Sequence, residues 1–205
     1  MTLAQRERQA LVRTMAEVGP DAPTLCGEWT TRDLAAHLIV RERRPDAAPG
    51  IMLKPFARHL ENVQRAVARR PFEQLLDEVR GGPPWYLRPV DGLMNLTEMF
   101  VHHEDVRRGS PGWEPRQLAA ADEDRLWKVL GGLARMAYRK SPVTVALATP
   151  DGRRVIAHTK GDRTVVLAGP PSELLLHAFG RNAVRLETTG DPDDVRAVHA
   201  LDRSV

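Results

Sequence analysis

The sequence predicts an α+β protein, with a helical bundle over residues 1–140 and a small α/β domain over 141–205. Two observations carry that division. Up to residue 140 the apolar residues recur at steps of three and four, the period of an amphipathic helix. After Ser141-Pro142 the pattern changes to short β-branched runs punctuated by Gly and Asp, as in strands joined by tight turns. At 205 residues the chain is also longer than the usual single domain of about 100 to 150.

The first helix runs from Ala4 to about Val18, with Leu11, Met15 and Val18 on its stripe and Gly19-Pro20 as its stop. Thr30 followed by Asp33 has the spacing of a capping box, which starts a second helix that closes before Pro45. Leu34, His37, Leu38 and Arg41 share one stripe of it. Further helices are expected over 55–70, 72–79, 95–108 and 118–139, with Gly81-Gly82-Pro83-Pro84 as a firm break. Val143 to Leu147, Arg154 to Ala157, Thr164 to Leu167 and Val184 to Thr188 read as strands. Ser172 is placed to cap a helix through about Phe179, and Asp191 to Leu201 reads as the last helix.

Composition narrows the function classes. The single cysteine, Cys26, excludes an internal disulfide framework, and no apolar run of about 20 residues is present to cross a membrane. A soluble, cytoplasmic protein is expected. The net charge is only +3, and the 26 arginines are scattered along the chain. Nucleic-acid binding calls for a clustered basic face with exposed aromatics, so no nucleic-acid partner is expected. A homodimer is the commonest assembly for a soluble oligomer.

The residues that point to chemistry are His37, Glu98 and His102. On a helix the four-residue step from Glu98 to His102 puts both on one face, about 6 Å apart at Cβ. With a histidine from a second helix they make a His2Glu donor set, which in zinc enzymes leaves one coordination position open. Other readings of the same residues exist. Glu98 and His102 also suit a solvated i,i+4 pair, and His37 among leucines also suits a hydrogen-bonded core histidine. The helical wheel objects as well, because Leu96, Met99, Phe100, His103 and Val106 form the apolar arc opposite the pair. Asp105, one turn beyond His102, is spaced to hold its imidazole and suits an exposed position equally well. Cys26 reads as a small buried hydrophobe, since nothing in the sequence puts a histidine beside it.

Three motifs in order carry a resemblance. Trp29-Thr-Thr-Arg-Asp33-Leu34-Ala-Ala-His37-Leu38, then Glu98-x-x-x-His102-x-x-Asp105, then Gly169-Pro-Pro-Ser-Glu-Leu174 through Gly180-Arg181 resemble the mycothiol-dependent maleylpyruvate isomerase superfamily of actinobacteria. That superfamily sits among the DinB-like metal-binding four-helix bundles. The run Leu38-Ile-Val-Arg-Glu-Arg-Arg-Pro45 is similar to an uncharacterised metal-binding subgroup. The resemblance implies a bundle that holds a divalent metal through His37, Glu98 and His102, joined to a sterol-carrier-like domain. Zinc is the default ion, and nickel and iron suit the same donors. It further implies mycothiol or a similar small thiol as partner, a small electrophile as substrate, and transferase or isomerase chemistry. Arg181 matches the arginine that assists catalysis, and an arginine of the 41–44 cluster also suits the role of holding a substrate carboxylate. Maleylpyruvate itself is a poor candidate, since His177 and Phe179 stand where relatives often carry tryptophan. The alternative is a non-catalytic ligand-binding or regulatory module in which the metal only ties helices together.

Overall fold

The computed structural model describes residues 1–47, 50, 53–85 and 95–203, which divide into two compact units, Met1–Trp113 and Glu114–Val205. Among the described residues there are eight α-helices and one four-stranded sheet, the α+β class expected.

Among the described residues the first unit holds five α-helices. Helix α1 (Leu3–Val18) starts at a capping box between Thr2 and Gln5 and stops at Gly19, whose φ of 86° takes the backbone out of the helix. Helix α2 (Thr31–Arg43) starts at the predicted box, where the Asp33 carboxylate accepts from both the backbone N–H and the hydroxyl of Thr30. Helices α3 (Ala57–Ala68) and α4 (Phe72–Gly81) follow, then α5 (Leu96–Arg107). Helix α1 lies along α5, while α2 packs on α3 and α4. The core is built from Leu11, Val12 and Met15 of α1, Leu34, Leu38 and Ile39 of α2, Leu75, Leu76 and Val79 of α4, and Met99 and Val106 of α5.

Helix α5 resolves the objection raised by the wheel, because it is buried on two sides. Met99 and Phe100 lie in the core, and Asp105 on the polar side is fully buried as well. A turn-and-bridge segment, residues 23–30, is docked against the end of α5. The Leu25 N–H donates to the Asp105 carbonyl at 3.1 Å, and Pro23 bridges Thr30. That docking needs Gly109: a Cβ there would stand 2.0 Å from the Pro23 carbonyl oxygen.

The second unit begins earlier than the change of periodicity at 140/141. Helix α6 (Ala120–Ala137) is helical like the residues before it, but it packs on β2 and on α7 and so belongs with the sheet. Strands β1 (Thr144–Ala148), β2 (Arg154–His158), β3 (Thr164–Ala168) and β4 (Glu187–Thr189) lie in the order β2-β1-β3-β4. The central pair, β1 and β3, is parallel, and both outer pairs are antiparallel. Helix α7 (Pro171–Ala178) starts at Pro171, so Ser172 lies inside it and not at its cap. The Ser172 backbone N–H and hydroxyl both donate to Glu123 of α6. Helix α8 (Pro192–His199) is capped by Asp191, the residue from which the last helix was expected to run. The strand expected from Val184 is three residues long and starts at Glu187. Upstream of it the Arg185 N–H donates to the buried Glu173 carboxylate at 2.7 Å instead of to a ladder.

Candidate metal centre

His37 and Arg41 are one turn apart on α2, and Asn95 and Glu98 one turn apart at the start of α5. Side chains of the two helices meet at these pairs. One rung is His37 with Glu98, Nε2 to Oε1 at 3.5 Å, and the next is Arg41, whose Nη1 donates to the Asn95 side-chain oxygen. His102 closes the first rung from α5 itself, its Nε2 standing 3.3 Å from the same Glu98 Oε1. The structure therefore brings together the three sequence-predicted ligands, His37, Glu98 and His102, with donor atoms all within 4.8 Å of one another.

The residues fit a divalent ion. In a tetrahedral site with bonds of about 2.0 Å, neighbouring donors stand about 3.3 Å apart, close to the two distances that converge on Glu98 Oε1. The second histidine nitrogen is also held as such a site requires: His102 Nδ1 lies 2.9 Å from Asp105 Oδ2, which leaves Nε2 facing the trio. His37 is steadied by the Trp29 ring, 5.0 Å away between centroids.

The electrostatics favour positive charge at this point. Burial pushes the Glu98 carboxyl upward, but hydrogen bonds from His102 and His37 and the charges of His102 and Arg41 hold it well below the usual carboxylate range. Burial pushes the His102 imidazole down. Its contacts with Asp105, Cys26 and Glu98 reverse this and raise it well above its ordinary value. A buried carboxylate, Asp105, and a partly buried one, Glu98, thus share one imidazole between them.

Cys26 is the residue that sequence reasoning missed. Its thiol donates to Asp105 Oδ2 at 3.0 Å, and its sulfur lies 3.6 Å from His102 Nδ1. The segment before α2 supplies it, and no periodic signal in the sequence announces that docking. His103 goes elsewhere, as a residue 100 degrees round the helix must. Its Nδ1 lies 2.7 Å from Glu7 and its Nε2 3.1 Å from Thr14, so it ties α5 to α1. Arg181 lies in the second unit, one residue past Gly180, and its Nη1 donates to the Phe179 carbonyl at 2.6 Å. His199 stands with its Nδ1 3.1 Å from His177 Nε2.

A cavity of about 670 Å³ opens beside the trio, lined by Trp29, Asp33, Leu60, Gln64 and Arg65, with His37 in its wall. It has room for a small organic molecule.

A helical unit with a convergent His/Glu/His cluster beside a ligand-sized cavity defines a candidate metal-binding domain. Residues 2–50 match the family model described as the mycothiol maleylpyruvate isomerase N-terminal domain. The match bears out the resemblance carried by the motifs. It covers His37 and the helix that presents it, while Glu98 and His102 lie beyond it. No curated protein and no solved structure matches the chain. No helix among the described residues is long and apolar enough to cross a membrane.

Proposed function

We propose that the chain holds a divalent metal, zinc by default with nickel or iron suiting the same donors, through His37, Glu98 and His102, and that it uses this site to activate a low-molecular-weight thiol of the mycothiol kind. The observation that carries the reading is the convergence, among the described residues, of three donors from two helices, while His103 and Asp105, which neighbour His102 on α5, make other contacts. His103 is paired with Glu7 and Thr14, and Asp105 with His102 and Cys26. A three-donor set leaves a position for an exchangeable ligand, as catalytic sites do, which favours this reading over a metal that only ties helices.

A bound ion would supply the charge that strips the proton from a coordinating thiol at neutral pH. The protein's own residues do the rest. Asp105 and Cys26 fix the His102 ring, Trp29 steadies His37, and the cavity walled by Trp29 and Leu60 has room for the body of a small ligand. The sulfur then adds to an electrophilic carbon or displaces a leaving group, so the outcome is transfer or isomerisation. In this reading Arg181 assists catalysis, and the reaction takes place in the cytoplasm. The test is elemental analysis of protein purified without a histidine tag, together with thiol consumption in the presence of a small electrophile. About one ion per chain is expected in the wild type, with loss in His37→Ala. A wild-type protein that takes up no ion on reconstitution overturns the proposal.

A further inference from the structure

Arg41 is out of place if the site serves only to hold a cation. Its Nε lies 3.3 Å from Glu98 Oε1, the oxygen on which both histidines converge. A guanidinium at that distance repels a divalent ion. It is also firmly held. Its Nη1 donates to Asn95 Oδ1, and Asn95 Nδ2 donates to Glu42 Oε1 at 3.2 Å. Glu42 in turn is gripped by Arg8 through two contacts of 2.9 and 2.6 Å, and Arg8 donates to the Val79 carbonyl at 3.1 Å. Asn95, Glu42 and Arg8 are all buried. Asn95 stands at the N-cap of α5 yet makes no capping bond, its amide being committed to this chain of contacts.

The charges in contact with the trio decide what Arg41 is for. Among the described residues, Glu98 and Asp105 bring two negative charges to the trio, and Arg41 brings one positive charge. With a divalent ion in place one positive charge is left over, and a ligand carrying a single negative charge removes it. A neutral ligand does not. We infer that Arg41 is the residue that selects a monoanionic ligand, a thiolate or a carboxylate, for the open position of the site. This rests on the metal-binding reading above and goes beyond it by naming the charge of the ligand and the residue that reads it.

The experiment uses full-length protein loaded with cobalt(II), whose visible bands report ligands that reach the ion. Three probes are titrated: 2-mercaptoethanol, which binds as its thiolate, acetate, and neutral imidazole. In Arg41→Met, cobalt content is expected to be retained, with cobalt affinity unchanged or raised, because a repelling charge is gone. Affinity for both anions is expected to fall about tenfold while that for imidazole stays within about twofold, as removal of one charge near the ligand requires. Arg41→Lys, which keeps the charge, should stay within about threefold of wild type for all three probes. A larger loss for acetate assigns Arg41 to a substrate carboxylate, and a larger loss for the thiol assigns it to the thiolate. The inference is overturned if the anions bind Arg41→Met as well as wild type, if imidazole weakens in parallel with them, or if Arg41→Met loses cobalt. Wild-type protein that binds no cobalt or other divalent ion overturns the metal reading and this one together.

Discussion

The two units each bury a histidine in a polar cluster, and they treat it in opposite ways. His102 in the first unit lies between the carboxylates of Glu98 and Asp105, which pull its imidazole toward the charged form. His177 in the second unit is fully buried between the Tyr138 hydroxyl, 2.7 Å from its Nδ1, and the ring of His199. The buried Arg203 donates to its backbone carbonyl. Burial, together with the charges of Arg203 and His199, pushes the His177 imidazole down to about 3. One site is arranged around a positive charge and the other around its exclusion. Residue type and burial are alike in the two, so the neighbours separate a candidate ligand from a structural histidine.

The largest expected effect tests that contrast directly. His102→Ala should lower metal affinity by more than about a hundredfold, beyond the range seen for residues that only support a ligand, while His177→Ala should leave metal content unchanged and cost a few kcal/mol of stability. Elemental analysis and urea denaturation of both variants give the answer, and equal metal loss in the two would dissolve the distinction.

The next effect is on acid stability. His177 in the folded chain titrates far below the ordinary histidine value of 6.5, so the unfolded chain takes up the proton first. Its contribution is complete above about pH 6.5 and is lost as the pH falls from there toward 3. The urea midpoint should therefore drop between pH 7 and pH 4, less steeply in His177→Gln. A slope unchanged by the substitution would mean that His177 is not held neutral.

Smaller still, Asp105→Asn should weaken metal binding about ten- to a hundredfold by releasing the His102 ring, and an unaltered dissociation constant would remove Asp105 from the site. Last comes the pair on which wheel and resemblance disagreed. Glu98→Gln should deplete the metal, whereas His103→Gln should leave it in place and cost about 1 to 3 kcal/mol, because Glu7 loses a buried partner. The reverse outcome moves the site round the helix.

Much of this was legible in the sequence because it is local. The Thr30–Asp33 box, the stop at Gly19-Pro20 and the four-residue step from Glu98 to His102 are short-range patterns with short-range causes. What escaped depends on which elements meet. Nothing periodic joins Cys26 to Asp105, 79 residues away, or Arg41 to Asn95, 54 residues away. Helix α6 carries an ordinary helical stripe, and only its packing on β2 and α7 decides which unit owns it. Ser172 had the right chemistry for a cap, but Pro171 had already started the helix and Glu123 claimed the hydroxyl.

Gly109 makes the point from the side of sequence tolerance. It touches no candidate ligand, yet a methyl group added there would strike the Pro23 carbonyl and lift the segment that carries Cys26 and Trp29. In a saturation library scored for metal retention, position 109 would therefore rank with the donors themselves. An allowed-residue profile read without the backbone contact would mistake a spacer for a ligand.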